Sequence, residues 1–142
     1  MQRMIVVGQF HGEAAAPSGQ PPETDPRASS VSLTATTADG SDVAIGPASY
    51  QNHACHTGET TFTETGTLRL DDGSGEWDIV SVDDGTLGPS ADPEVLHGAV
   101  VYRIVAGRGR FDGASGLVTS NFLLRPAVGE FDETQVAIVF LP

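Results

Sequence analysis

Val100-Val101-Tyr102-Arg103-Ile104-Val105-Ala106-Gly107-Arg108-Gly109-Arg110-Phe111-Asp112-Gly113-Ala114-Ser115-Gly116-Leu117-Val118-Thr119 is the stretch that decides the fold class. Its two ends alternate with a period of two and are rich in β-branched residues, so they read as strands joined by a wide glycine turn. The glycines supply positive φ. Phe111, set between them, can fold back to plug the end of a barrel, with Gly113-Ala114 and Gly116 letting the backbone pass close to the ring. A dinucleotide fingerprint needs Gly-x-Gly-x-x-Gly opening a helix. Here the third glycine falls one residue late and a strand resumes, so nucleotide binding is set aside.

The same period continues outward, in Val31/Leu33/Ala35, Trp77/Ile79 and Val136/Ile138/Phe140. Turn signals at Asp39-Gly40, Asp72-Gly73, Asp84-Gly85 and Val128-Gly129 separate the runs, as in consecutive antiparallel hairpins. The pattern predicts strands near residues 3–10, 30–38, 42–46, 49–57, 59–70, 75–82, 95–106, 115–125 and 132–141, and no window carries a helical stripe. Glu13 to Ser30 holds Pro17, Pro21, Pro22 and Pro26 without either periodicity and reads as a loop or lid. Many antiparallel strands in one domain must dispose of their edges by closing or stacking. On the strand around residue 120 both alternating sets are partly apolar: Leu117, Thr119, Asn121 and Leu123 on one face, Val118, Ser120, Phe122 and Leu124 on the other. Either a partner subunit covers the outside, or the inside borders a cavity that tolerates polar groups. The expectation is a single all-β domain spanning residues 1–142, an eight- or nine-stranded antiparallel closed β-barrel.

Composition excludes several functions. With 19 acidic against 7 basic residues the net charge is −12, which repels phosphate backbones and anionic lipid, so neither nucleic acid nor membrane is an expected partner. No apolar run approaches the roughly 18 to 20 residues of a spanning helix. Met1 to Gly12 makes a poor signal peptide, and the single Cys55 permits no internal disulfide, so cytoplasmic residence is expected.

Between its two strands the phrase Gly107-x-Gly109-x-Phe111-x-Gly113-Ala114-x-Gly116 resembles the signature of the allene oxide cyclase and dirigent barrels, over Val95 to Phe122. The resemblance implies an eight-stranded antiparallel barrel with an apolar lumen. It also implies an activity in which a reactive, flexible, hydrophobic intermediate is bound and steered through cyclisation or coupling, commonly by dimers or trimers. Comparable bacterial barrels catalyse ring closures, cycloadditions included. No catalytic Glu or Cys of the plant cyclases is carried over to a position here.

Candidates for chemistry come from the residues themselves. Tyr50, Trp77 and Tyr102 lie in strand interiors, each with a polar tip on an apolar body, suited either to core packing or to orienting a ligand carbonyl. Glu64 alternates with Phe62, and a carboxylate beside an apolar lumen can have a raised pKa and act as general acid or base; the alternative is an outward salt bridge. In Tyr50-Gln51-Asn52-His53-Ala54-Cys55-His56 strand alternation places His53 and Cys55 on one face, where they can meet one ligand, with His97 as a third. No Cys-x-x-Cys or His-Glu-x-x-His pattern completes a metal site, so no metal or cofactor is expected. The candidate set is Tyr50, Tyr102 and Glu64 for chemistry, with Trp77, His53, Cys55, His97, Asn121 and Phe122 for holding the ligand. The expected function is a cofactor-independent cyclase, probed against a lipocalin-like carrier; the expected partners are a small hydrophobic molecule and a second copy in a homodimer.

Overall fold

The structure, a computed structural model, describes residues 1–13 and 27–142, with the backbone alone over 27–32. Ten strands follow one another: β1 (Gln2–Glu13), β2 (Arg27–Thr37), β3 (Asp42–Val43), β4 (Ala48–His56), β5 (Thr61–Leu70), β6 (Gly75–Ser81), β7 (Gly85–Pro89), β8 (Leu96–Gly109), β9 (Ser115–Arg125) and β10 (Glu130–Leu141). All neighbours pair antiparallel in the order β1-β10-β9-β8-β6-β5-β4-β2, and a further β1–β2 pairing closes the ring. No sheet edge is left along this path, which is what closure achieves.

Ten strands make eight staves. β3 and β4 both pair with β2 in one continuing register, Val43 opposite Ala35 and Ser49 opposite Ser29, so they are a single stave parted around Gly46-Pro47. β6 and β7 likewise share the gap between β5 and β8, with Ser81 opposite Tyr102 and Thr86 opposite Ala99. The Asp84-Gly85 pair, expected to be a hairpin turn, is therefore a bulge within one stave. The strand at Gly85–Pro89 was not foreseen because Gly-Thr-Leu-Gly-Pro carries turn residues; β5 and β8 supply the pairing that its composition does not. The 42–46 strand shortens to Asp42–Val43. The loop expected over 13–30 also contracts: Glu13 ends β1 and Arg27 begins β2, while 14–26 lies outside the described residues.

Eight staves enclose an interior just wide enough to be filled by side chains or to hold one small ligand. One end is plugged by the glycine turn, as the sequence suggests. Phe111 is buried there against Trp77, ring centroids 4.7 Å apart and edge to face. The Phe111 carbonyl lies so close to Gly107 that any Cβ at that position would collide with it. Above the plug come Met4, Val6, Leu68, Ile79, Ile104, Val118 and Val139, all buried. Two recesses lie on the outer wall. One of about 370 Å³ lies over β4, β5 and β6, and another of about 380 Å³ lies around Arg69, Glu76 and Arg108. No helix of the described residues is long and apolar enough to cross a membrane.

Candidate functional site

Toward the end away from the glycine turn the apolar filling is interrupted by a belt of polar side chains. Strand alternation delivers each one: Glu64 is in phase with Phe62 and Leu68 on β5, Tyr102 with Val100 and Ile104 on β8, Ser120 with Val118 on β9, and Glu133 and Gln135 with Phe131 and Ala137 on β10. Glu64 is 4% exposed and Glu133 5%. Two carboxyls are thus buried in one barrel.

Glu64 is held by three side chains. The Tyr102 hydroxyl donates to Oε2 at 2.6 Å, the Tyr50 hydroxyl donates to Oε1 at 3.2 Å, and the Asn52 amide donates to the same Oε1. The Glu64 backbone N–H donates to Ser81 Oγ at 3.0 Å, which ties this part of β5 to β6. Glu133 accepts from Ser120 Oγ at 2.5 Å and from Gln135 Nε2 at 3.1 Å. No cation is buried with either acid among the described residues.

The electrostatics follow from that absence. Burial pushes the Glu64 carboxyl up, opposed by its hydrogen bonds from Tyr102, Asn52 and Tyr50. Burial also pushes Glu133 up, to about 7, and the Glu64 charge pushes the same way. Two like charges in a poorly solvated space resist ionising together, so the pair carries a proton near neutrality. Both phenols are held above the usual tyrosine range, first by burial and then by the Glu64 charge, and remain protonated donors. The result is an acid pair with tyrosine donors, able to give or take a proton within the barrel. Two buried polar atoms, Asn52 Oδ1 and Trp77 Nε1, have no partner among the described residues.

Phenylalanines cover the belt on the side away from the glycine turn. Phe62 and Phe122 meet edge to face with centroids 5.9 Å apart, and Phe10 packs against Tyr50 at 5.7 Å. Phe122 lies directly over Gly98, where a Cβ would enter its ring. The hydrogen lacking a side chain is what lets that ring turn inward.

The nine candidate residues separate into two groups. Tyr50, Tyr102 and Glu64 come together, Phe122 lies in the aromatic layer beside them, and Trp77 is inside but in the plug against Phe111. His53, Cys55, His97 and Asn121 are on the outer wall, because each is out of phase with the inward residues of its own strand. Cys55 Sγ stands 3.4 Å from His53 Nε2 on that outside surface, and His97 Nε2 stands 2.6 Å from Asn121 Oδ1. They form two separate pairs and do not share the interior with Glu64. The described residues hold no grouping of three or more potential metal ligands. Asn52, Ser120, Glu133 and Gln135 belong to the polar belt and were not among the candidates. The signal that finds them is a polar residue in phase with buried apolar ones.

A closed eight-stave antiparallel barrel with a glycine-turn plug defines the fold class. No protein-family model matches the chain, and no curated protein matches it. Among solved structures it is similar to that of a pterocarpan synthase dirigent protein, at 14% identity and a TM-score of 0.50 over 98% of this chain and 86% of that one. At this identity the likeness shows the fold.

Proposed function

We propose that the chain is a cofactor-independent cyclase or isomerase. It takes a small, mainly apolar, flexible molecule carrying an oxygen that accepts hydrogen bonds, and closes or rearranges it over the Glu64–Glu133 belt. One observation carries the reading: two carboxyls are buried in the barrel with neutral donors and, among the described residues, no cation. Packing alone favours apolar side chains at such positions, since an uncompensated buried carboxyl costs several kcal/mol, roughly. The likeness in fold to a synthase supports the reading without fixing a substrate.

In this mechanism the guest enters at the end away from the glycine turn, displacing the Phe62 and Phe122 rings. Its oxygen takes the hydrogen bond that Tyr102 otherwise gives to Glu64. The carboxyl that holds the pair's proton acts as the acid and the other as the base, so no net charge develops inside the barrel. Most of the acceleration comes from holding the flexible chain in a reactive fold, an effect worth up to roughly 7 to 11 kcal/mol when the geometry is right. Preorganised donors that need not reorient add to it.

The test is a single-turnover assay with a flexible polyene or epoxide, run beside equilibrium binding of the ring-closed product. A cyclase forms product faster with protein than without it, and Glu64→Gln loses the acceleration while still binding product. A carrier binds substrate and product with no acceleration, and that result would overturn the proposal.

A further inference from the structure

The two buried acids hang from opposite sides of the ring. Along β1-β10-β9-β8-β6-β5-β4-β2, which closes through β1–β2, β5 lies four staves from β10 in either direction. In a barrel of eight staves that separation is diametric. Glu133 therefore reaches inward from one wall and Glu64 from the other, and a guest in the polar belt lies between them. The charge of Glu64 is felt at Glu133, so the two face one common space.

Their partners differ in kind. Glu64 has both carboxyl oxygens occupied by donors, Tyr102 on Oε2 and Tyr50 and Asn52 on Oε1. Three donors spread over two oxygens hold a carboxylate, because hydrogen bonds to the charged form favour it. Glu133 has two partners, Ser120 Oγ at 2.5 Å and Gln135 Nε2 at 3.1 Å. A hydroxyl that rotates and an amide that turns over serve an acid as readily as its anion: Ser120 Oγ accepts the carboxyl proton, and Gln135 presents its carbonyl oxygen. Burial opposes charge at both sites, so the pair's proton settles where the anion is held by fewer donors, on Glu133. Titration runs the same way, since the Glu64 charge is one of the causes that raise Glu133. Among the described residues Tyr50 and Tyr102 are the other titratable groups buried in the barrel, and both stay protonated, so neither takes up the proton.

We infer that Glu133 is the acid and Glu64 the base of a proton exchange across the guest, and that the guest is a β,γ-unsaturated ketone. The inference rests on the isomerase reading of the belt and adds to it the roles of the two acids and the substrate class. Two acids on opposite walls suit a guest that loses a proton on one side and gains one on the other. When the Tyr102 hydroxyl donates to the ketone oxygen, Oε2 of Glu64 is released beside the carbon next to the carbonyl. Glu64 takes a proton from that carbon, and the electron pair of the broken C–H bond passes into the carbonyl system, whose oxygen Tyr102 stabilises. The carbonyl then re-forms, the double bond moves into conjugation with it, and the electron pair of the old double bond takes the Glu133 proton at the γ-carbon. Nothing is oxidised or reduced, and the guest keeps its formula. The protein is left with the proton on Glu64, which returns it to Glu133 through water once the product has gone.

Two measurements on the full chain test it. The first is carbon-13 NMR of the glutamate carboxyls in the wild type, assigned by through-bond correlation to the backbone so that no variant is needed. At about pH 6 the Glu133 carbon should give the signal of an acid and the Glu64 carbon that of a carboxylate. The second uses a long-chain β,γ-unsaturated ketone in heavy water, with isomerisation read from the ultraviolet absorption of the conjugated product and exchange read by mass spectrometry. The wild-type product should carry deuterium at the γ-carbon. Glu64→Gln should slow both exchange beside the carbonyl and isomerisation on the order of 100-fold or more. Glu133→Gln should slow isomerisation as much but leave that exchange within about tenfold of the wild type, because the base is still present. Carboxyl signals reversed between Glu64 and Glu133, or exchange that survives in Glu64→Gln, overturn the roles even where the wild type is an active isomerase. A wild type that accelerates ring closure of a polyene or epoxide but neither exchanges nor isomerises the ketone overturns the substrate class alone. A wild type that accelerates none of these is a carrier, and the isomerase reading falls together with the inference built on it.

Discussion

Glu133 should make the barrel less stable as pH rises through the neutral range. In the folded chain its carboxyl titrates near 7, against the ordinary 4.5 expected once the chain is unfolded. Below pH 4.5 the group is protonated in both states and contributes nothing. Between 4.5 and about 7 the unfolded chain ionises while the barrel keeps the proton, so the folded state loses ground steadily. Above about 7 the full cost stands. At about 1.36 kcal/mol for each pH unit this amounts to about 3 kcal/mol, a large fraction of a typical 5 to 15 kcal/mol total. Trp77, the single tryptophan and buried in the plug, reports unfolding by fluorescence. With a urea slope of roughly 2 kcal/mol per molar, the midpoint should fall by roughly 1.5 M between pH 5 and pH 8. Glu133→Gln keeps an acceptor for Ser120 but has no charge to bury, so its midpoint should change far less and should exceed the wild type's at pH 8. His11, raised by its bond to Asp132, also loses a stabilising proton in this window, but it is exposed and common to both chains, so it cancels in the comparison. A wild-type midpoint that stays level from pH 5 to 8, or a Gln variant that falls in parallel with it, refutes the reasoning.

Three other changes probe the layers separately. Tyr102→Phe removes the shorter phenol bond to Glu64 and should lower stability by roughly 1 to 3 kcal/mol in urea unfolding at pH 8. Its effect should shrink as the pH falls and the Glu64 carboxyl, pushed up by burial, takes up a proton. Phe111→Ala opens the plug beside Trp77, with an expected loss of roughly 3 to 5 kcal/mol and a red-shifted tryptophan emission. Arg108→Ala should cost less than about 1 kcal/mol by thermal melting, because its fork to Asp78 and its bond to Glu76, though well formed, lie on the solvated wall.

How much of this was legible in the sequence comes down to strand parity. Alternation on residues 100–104 and 117–124, with Phe111 between them, was enough for the barrel and for its plug. β7 escaped because its pairing is supplied by β5 and β8, and local composition carries no record of those neighbours. Within the site, parity ruled on every candidate. Tyr50 and His53 are three apart on one strand, Asn121 and Phe122 are adjacent, and His97 and Tyr102 are five apart. Each pair therefore faces opposite ways, and no barrel could bring both members inside. Choosing the inward member required a burial criterion: Tyr50, Tyr102 and Phe122 are in phase with Ala48, Val100 and Val118, whereas the histidines and Asn121 are in phase with solvent. Applied to the last strand, the same criterion places Glu133 and Gln135 in register with Phe131, Ala137 and Val139. A carboxylate there is at odds with the apolar residues on either side of it. Solvation of the outer wall cannot account for an acid that points inward. The polar belt is therefore where the sequence departs from what folding alone requires, and it is the place to look for chemistry.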